Sequence, residues 1–349
     1  MKQETPPEER ERDRRKRRRW LLPIGAIICT FLVGEAAFRL FPLDSQLDYR
    51  FDEECYWSLK PNQTGRLWMG GGRFRSPVIR IGNDGFRECE GRAAPADAAE
   101  ILFLGDSYTF GLGVEDRETF CSRMPEFVAH IPMRTRNGGS PGYGAFQSAA
   151  LLRRELASGR IPDLVVLTLP TGDVLRQPFP QAKFEEYRAT QQRRKRLRDV
   201  SRVATFVYRR LVQWKGRGAA ESRAVPNQRR AEALDGFRKL WESDAERIRG
   251  MKELCDQRGV RFVVLHWPQS TREGWVEIVE SGLESLALET GLTALTGLAD
   301  RFEGRNVAEL TIPGDGHPSV VAHEIVAGYL AEKLEPLLTS EGMEQTKDE

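Results

Sequence analysis

The sequence contains few of the residues that build metal centres and disulfide scaffolds. Its 349 residues include only five cysteines and four histidines, and no two cysteines form a C-x-x-C pair. This scatter argues against a zinc ribbon and against a disulfide-dense secreted module. The sequence is compatible with one disulfide, between Cys55 and Cys89.

The chain also lacks a charge excess of either sign. It has 53 Lys and Arg residues against 51 Asp and Glu residues, a net charge of only +2. This balance excludes a general electrostatic attraction to nucleic acid, so we expect no nucleic-acid partner. The basic surplus lies at the N-terminus, where residues 1–19 hold nine basic and five acidic side chains.

The length and composition are those of a globular protein. At about 100–200 residues per domain, the chain corresponds to one large or two small domains with appendages. Hydrophobic residues make up 40% and charged residues 30% of the sequence. These proportions exclude a disordered chain, a collagen-like chain and a multi-span membrane protein.

One apolar segment, residues 20–41, follows six consecutive cations at 14–19. At about 20 residues per span, it crosses a bilayer if Glu35 and Arg39 lie near one end, where their i, i+4 spacing lets them pair. The positive-inside rule keeps 1–19 as a cytoplasmic tail and places the chain after Pro42 outside the cytoplasm. We therefore predict a single-pass transmembrane anchor over 20–41.

The segment has two other interpretations besides an uncleaved anchor. Gly34-Glu35-Ala36 has the small-x-small pattern of a signal-peptide cleavage site, so a cleaved signal stays open. A buried helix of a cytosolic domain fits poorly with six cations directly before it. We favour the anchor.

The pattern after the anchor predicts an α/β fold. We predict an irregular lead-in over 43–98, the main domain over 99–338 and a polar tail over 339–349. Within the domain, short apolar runs alternate with helical stretches, which is typical of a flavodoxin-like, three-layer αβα domain with a mostly parallel sheet. The predicted strands cover 101–104, 134–137, 164–169, 260–267 and 307–310.

A charged helical segment over 181–258 looks like an insertion. Its basic run at 193–198 is followed by apolar residues at helical spacing: Val203, Phe206, Val207, Leu211 and Trp214. The spacing predicts a basic amphipathic helix. It has two interpretations: a solvated face over a packing stripe, or a surface for lipid head groups or acidic polysaccharide.

A serine follows the first predicted strand of the domain. Residues 104–111 read LGDSYTFG, which places Ser107 between a strand and a helix, at the carboxyl edge of the sheet where α/β ligand sites form. Gly105 permits the tight turn, and the free N–H groups of the helix start can stabilise negative charge. By itself, Gly-Asp-Ser is also an ordinary turn and N-cap.

A carboxylate and an imidazole stand two residues apart near the C-terminus, in Asp315-Gly316-His317-Pro318. A serine hydroxyl is a weak nucleophile until a base takes its proton, and a carboxylate fixes the tautomer of that base. We expect His317 to be the base for Ser107, with Asp315 orienting it.

These motifs resemble those of the SGNH (GDSL-type) hydrolases, specifically their membrane-anchored bacterial members. The resemblance covers nearly the whole chain apart from the insertion, and rests on Gly105-Asp106-Ser107, Asn137 to Gly144, Asp315 to Pro318 with a downstream His323, Gly113-Val114-Glu115, Pro162 to Leu167, Trp57, Pro61-Asn62, Asn83 to Arg87, and the Glu35-x-x-x-Arg39 step. It implies that the amides of Ser107 and Gly142 form the oxyanion hole.

The resemblance also implies a function. It predicts a serine esterase or acyltransferase in the bacterial inner membrane, with its N-terminus cytoplasmic and its catalytic domain periplasmic. The implied substrates are O-acyl esters, including O-acetyl esters, of envelope polysaccharide or lipid, and no metal or organic cofactor is needed. The alternative is a catalytically weak binding or assembly protein of the envelope with the same fold.

One position departs from the family pattern. The third motif of the family reads Gly-x-Asn-Asp, and its Asn completes the oxyanion hole; here Leu169-Pro170-Thr171-Gly172-Asp173 has Gly172 in place of that Asn. Loss of one such donor typically costs about 10²–10³ in rate. Thr171 is a candidate substitute.

The other histidines are not predicted to be catalytic. His323-Glu324 begins like a zinc-protease helix, but Ala327 stands at the i+4 position, so we expect His323 to pack or cap the helix. His266, at the end of an apolar run, is expected to be a core or edge residue.

Overall fold

The computed structural model describes residues 7–40, 46–69, 74–91, 94–95, 98–216, 230–269 and 273–339. Most of the predicted polar tail, residues 340–349, lies outside them. The chain divides into two compact units, one formed by residues 1–45 with 185–215 and the other by the remainder. The five cysteines all lie within the described residues and are free thiols, so Cys55 and Cys89 are not joined.

The helices and strands of the described residues alternate along most of the second unit. The helices are α1 Pro7–Leu40, α2 Ser107–Phe110, α3 Phe120–Phe127, α4 Ala145–Ala157, α5 Gln181–Val200, α6 Arg202–Gly216, α7 Arg230–Asp256, α8 Glu273–Thr290, α9 Leu298–Phe302, α10 Val307–Leu310 and α11 Val320–Leu338. The strands are β1 Tyr49–Asp52, β2 Tyr56–Leu59, β3 Gln63–Gly65, β4 Trp68–Met69, β5 Phe74–Arg75, β6 Ile79–Ile81, β7 Ala99–Leu104, β8 Met133–Asn137, β9 Leu164–Pro170, β10 Arg261–Trp267 and β11 Thr293–Leu295.

The centre of the second unit is a five-stranded parallel sheet in the order β11-β10-β9-β7-β8. Successive side chains of a strand point to opposite faces, and the central strands are buried on both. In β7, Leu102 and Leu104 join one apolar cluster, whereas Ile101 and Phe103 join another. The predicted three-layer αβα fold with a parallel sheet is confirmed.

One predicted strand is wrong. Residues 307–310 form helix α10, because the Asn306 side chain accepts a hydrogen bond from the Ala308 N–H at 2.9 Å and caps a helical turn. The fifth strand is β11, which pairs with β10 through only three residues. Such a short strand leaves no recognisable apolar run in the sequence.

Helix α7, in the C-terminal part of the predicted insertion 181–258, belongs to the layer that covers the sheet. Its buried side chains are in the cluster that contains Leu102: Phe237, Trp241, Ile248, Met251 and Cys255. Only residues 185–215 separate from the α/β unit and group with the N-terminal residues.

The lead-in over 43–98 forms short antiparallel pairs rather than a domain of its own. Strand β1 pairs with β2, β3 with β6, and β4 with β5. Their apolar side chains share a cluster with Phe110 and Leu112, which follow the Ser107 turn. The lead-in therefore supports the loop behind the predicted nucleophile.

Helix α1 contains one segment, Leu21–Leu40, that is long and apolar enough to cross a membrane, with a mean hydropathy of 2.0. None of that window is buried within the protein. A signal sequence near the N-terminus would also be long and apolar enough. The preceding residues from Pro7 continue in the same helix, so the helix begins within the predicted basic tail.

Candidate active site

Ser107 lies in a turn that only glycine allows. Gly105 has a φ of +148°, and a Cβ there would approach the Thr109 hydroxyl to 2.3 Å and the Thr168 carbonyl oxygen to 2.7 Å. The turn ends β7 and starts α2, whose N-cap is Asp106; its carboxylate accepts from the Tyr108 N–H at 2.7 Å. The hydroxyl of Ser107 is thereby fixed at the carboxyl edge of the sheet.

His317 approaches Ser107 from a loop 210 residues later in the chain. Its Nε2 lies 3.0 Å from the Ser107 Oγ, and its Nδ1 contacts the Asp315 carboxylate. The Asp315 side chain is only 5% exposed and that of His317 is 22% exposed. The structure therefore brings the three predicted residues together in the order carboxylate, imidazole, hydroxyl.

The loop that carries His317 is held by its own backbone. The Ile312 N–H donates to the His317 carbonyl oxygen at 2.8 Å, and the N–H groups of Asp315 and Gly316 donate to the Ile312 carbonyl oxygen. The Ile312 side chain packs against Gly113, where a Cβ would meet it at 2.2 Å. The loop that contains Gly113 therefore packs directly against the loop that carries His317, and a side chain at position 113 would not fit between them.

The Gly142 loop lies beside the serine turn. Asn137 fastens this loop: its Nδ2 donates to the Thr109 carbonyl oxygen at 2.9 Å, and its Oδ1 accepts from the Gly139 N–H at 3.1 Å. Among the described residues, the N–H groups of Ser107 and Gly142 have no protein acceptor. Both predicted oxyanion donors are thus available to a ligand.

Trp57 of the lead-in packs on Gly142. Its indole N–H donates to the Pro141 carbonyl oxygen at 3.1 Å, and its own carbonyl oxygen accepts from the Tyr143 hydroxyl at 2.6 Å. Gly142 has a φ of +87°, and a Cβ on it would lie 3.0 Å from the Trp57 ring. The indole therefore fixes the position of the loop and of its amide.

Replacing Gly142 by alanine is expected to lower ester-hydrolysis kcat/KM by about 10²-fold, because the new methyl group pushes the Gly142 amide, a predicted oxyanion donor, away from the indole. The matched control is Gly159→Ala, which has a similar φ of +82° and no atom within 4 Å of the added Cβ. Steady-state kinetics on a short-chain aryl ester measure the effect. Equal activity losses in both variants would contradict this role of Gly142.

Thr171 does not face the site as a free donor. Its hydroxyl is fully buried and lies 3.0 Å from the His266 Nε2, while the His266 Nδ1 contacts Glu280 at 3.1 Å. The proposal that Thr171 replaces the missing Asn is therefore not supported. His266 is a core residue, as predicted.

Gln269 is a polar side chain that the sequence did not single out. Its Oε1 accepts from the Gly172 N–H at 3.1 Å, and its Nε2 donates to the Tyr108 hydroxyl at 3.2 Å. The Tyr108 ring in turn lies 5.9 Å from that of His317. An amide side chain is thus present next to Gly172, where the family has its Asn.

Arg176 is the second residue that the sequence did not indicate. Its Nη1 contacts the Asp106 carboxylate at 2.9 Å, the Asp173 carboxylate at 2.7 Å and the Tyr143 carbonyl oxygen at 2.6 Å. Burial and the neighbouring Asp106 raise the pKa of Asp173 well above its usual range. The same Asp106 carboxylate oxygen lies 3.1 Å from the Ser107 Oγ, so it is the one atom between the Arg176 cation and this hydroxyl.

His323 is buried beneath the site and is not part of it. Its Nδ1 accepts from the Phe120 N–H at 3.3 Å, and its ring stacks on that of Phe120. Burial, with the charge of Arg87, lowers the pKa of His323 to about 3. It is a packing residue of α11, as the sequence predicted.

Acidification should destabilise the protein through His323. The imidazole stays neutral in the folded chain but binds a proton below pH 6.5 when unfolded, so stability falls as the pH falls. Between pH 7 and pH 5 the loss from this group is about 2 kcal/mol. His323→Asn keeps an acceptor for Phe120 and should make the pH dependence shallower by that amount in urea unfolding. Parallel pH dependences of the two proteins would contradict the assignment.

Comparisons with known proteins give similarity only at the level of solved structures. No protein-family model matches the chain, and no curated protein sequence matches it. Its structure is similar to that of TesA, with 14% identity over 68% of this chain and 99% of TesA, and a TM-score of 0.45. It is also similar to a putative lipolytic protein of the G-D-S-L family from Desulfitobacterium hafniense DCB-2, with 14% identity over 68% of this chain and 99% of that one, and a TM-score of 0.40.

A third similar structure is AlinE4, an SGNH-hydrolase family esterase, with 13% identity over 71% of this chain and 100% of AlinE4, and a TM-score of 0.39. Two of these three structures are thus of a lipolytic protein of the G-D-S-L family and of an esterase of the SGNH-hydrolase family.

Proposed function

We propose that the protein is a serine esterase or acyltransferase that cleaves O-acyl esters. The observation that supports this most directly is the contact of 3.0 Å between the His317 Nε2 and the Ser107 Oγ, with Asp315 on the opposite ring nitrogen. A hydroxyl, a base and an orienting carboxylate in this order form the apparatus of nucleophilic acyl transfer.

The first half-reaction follows from this geometry. The Ser107 Oγ attacks the ester carbonyl carbon, and the His317 Nε2 takes the hydroxyl proton while Asp315 stabilises the charged ring. Collapse of the tetrahedral intermediate breaks the bond to the alcohol, which leaves with the proton from His317. Water or a sugar hydroxyl then attacks the acyl-serine, so hydrolysis and acyl transfer share this step.

The developing oxyanion is stabilised by the N–H groups of Ser107 and Gly142. Removal of one donor of this type usually costs about 10²–10³ in rate, and Gly172 supplies no side chain to act as the third. Two groups support the site near that position: the Gln269 amide beside Gly172, and the Arg176 cation behind Asp106. We assign the Gln269 amide nitrogen as the candidate third donor.

The substrate is proposed to be an O-acylated, including O-acetylated, polysaccharide or lipid of the bacterial envelope. Support comes from the N-terminal segment Leu21–Leu40, which we propose is a retained anchor with the basic residues before it in the cytoplasm. The catalytic residues would then work on the periplasmic side of the inner membrane. No nucleic-acid partner is proposed.

A serine-directed fluorophosphonate tests this proposal on the full-length protein in detergent. Labelling at Ser107, detected by peptide mass spectrometry and lost in His317→Ala, is the expected result. Folded protein that is not labelled would overturn the enzyme assignment. It would favour the alternative function, an envelope binding or assembly protein in which Gly172 has weakened the site.

A further inference from the structure

An acidic side chain in an apolar helix needs a partner, and Glu35 has several. Its carboxylate accepts from the Ser201 hydroxyl at 2.9 Å, the Arg202 N–H at 3.0 Å and the Val203 N–H at 3.1 Å, and it also pairs with Arg39 at 2.9 Å. The first three partners form the start of α6. Glu35 therefore caps α6 from another helix, where a carboxylate is favoured by the helix dipole.

Apolar contacts continue this junction. The Phe38 and Phe206 rings lie 4.9 Å apart, and a Cβ on Gly34 would meet the Val203 side chain at 3.5 Å. Residues further along α1 therefore contact residues further along α6, so the two helices run in the same direction at this junction. Helix α6 thus begins beside the last two turns of the apolar segment and continues past its end.

The helices at this junction are strongly basic. Residues 185–215 contain ten Lys and Arg residues and three acidic residues, a net charge of +7, and α6 itself has no acidic residue. Apolar side chains are exposed among these cations: Val200 is 75%, Val207 49% and Leu211 53% exposed. A basic helix with exposed apolar side chains is the type that binds the interface of an anionic bilayer.

We propose that α6 and the end of α5 bind anionic phospholipid headgroups around the outer end of the apolar helix. This inference rests on the proposed membrane anchor, because that anchor places the end of the span, and with it the start of α6, at headgroup depth. The charge of +7 identifies the partner as an anionic lipid surface rather than a neutral one. The cap by Glu35 also explains how an acidic residue is accommodated near the end of a span.

Hydrogen exchange on the full-length protein in nanodiscs tests the proposal. Amides of residues 202–211 should exchange about tenfold more slowly in nanodiscs with phosphatidylglycerol than in nanodiscs of phosphatidylcholine alone. Lys195→Glu with Arg196→Glu should abolish the difference. The control, Arg238→Glu with Lys239→Glu on α7, reverses two cations that are likewise exposed and should preserve it.

The outcomes separate this proposal from the anchor and from the enzyme. Failure of the protein to enter neutral nanodiscs would overturn the anchor and the lipid surface together, whereas fluorophosphonate labelling reports on the site alone. Incorporation without a lipid-dependent change would overturn only the lipid surface. Protection induced by a soluble polyuronate but not by anionic lipid would also overturn it, in favour of a polysaccharide surface.

Discussion

Replacing Ser107 by alanine is expected to lower kcat for a short-chain aryl ester by at least about 10³-fold, because the nucleophile of the acyl-enzyme step is lost. His317→Ala should lose a comparable amount, since the hydroxyl is then without its base. Because the two residues act as one unit, the double variant should be scarcely slower than either single variant. Steady-state and burst kinetics on the three variants measure this.

The control for the nucleophile is Ser285→Ala, a serine that hydrogen bonds within α8 and lies on its exposed side. It should retain full activity. Losses from Ser107→Ala and His317→Ala that multiply in the double variant would contradict a shared proton-transfer unit. Residual activity near that of the wild type in Ser107→Ala would end the nucleophile assignment.

Replacing Arg87 by methionine should destabilise the protein by about 3–5 kcal/mol, the usual cost of removing one partner of a buried ion pair. The Arg87 side chain is fully buried, and its Nε donates to the Asp116 carboxylate at 2.8 Å. Its two Nη groups donate to the carbonyl oxygens of Phe110, Gly111 and Val114 at 2.6–2.7 Å. All four acceptors would be left buried without this donor.

The chain provides a matched control for Arg87. Arg80 contacts the same Asp116 carboxylate at 3.3 Å, but its side chain is 40% exposed, so Arg80→Met should cost only about 0–1 kcal/mol. Urea unfolding of the full-length variants, followed by tryptophan fluorescence, measures both values. Similar costs for the two substitutions would show that burial of Arg87 does not determine its contribution.

The motifs located the site because each is a local consequence of backbone geometry. The Ser107 turn needs a glycine at 105, and the His317 turn contains glycines at 314 and 316, all with positive φ. Such positions are visible in the sequence as Gly-Asp-Ser and Gly-Asp-Gly-His. Their meeting in space depended on the parallel sheet, which the strand and helix alternation also predicted.

The residues that were missed depend on neighbours far away in sequence. Gln269 contacts Gly172 because β10 lies next to β9, and no motif records that order. The same strand order places the Thr171 hydroxyl next to His266. Thr171 is therefore not a free donor for the oxyanion hole.

The packing of Trp57 on Gly142 has a consequence for how the protein can be divided. The Gly142 amide, one donor of the proposed oxyanion hole, is positioned by a residue that precedes the first strand of the central sheet by some forty places. A truncated version starting at residue 98 would retain the serine, the imidazole and the five parallel strands, yet leave the amide of Gly142 without its aromatic support. A shorter version that keeps Trp57 on Gly142 must therefore include β2 and its partner strand β1, which starts at Tyr49.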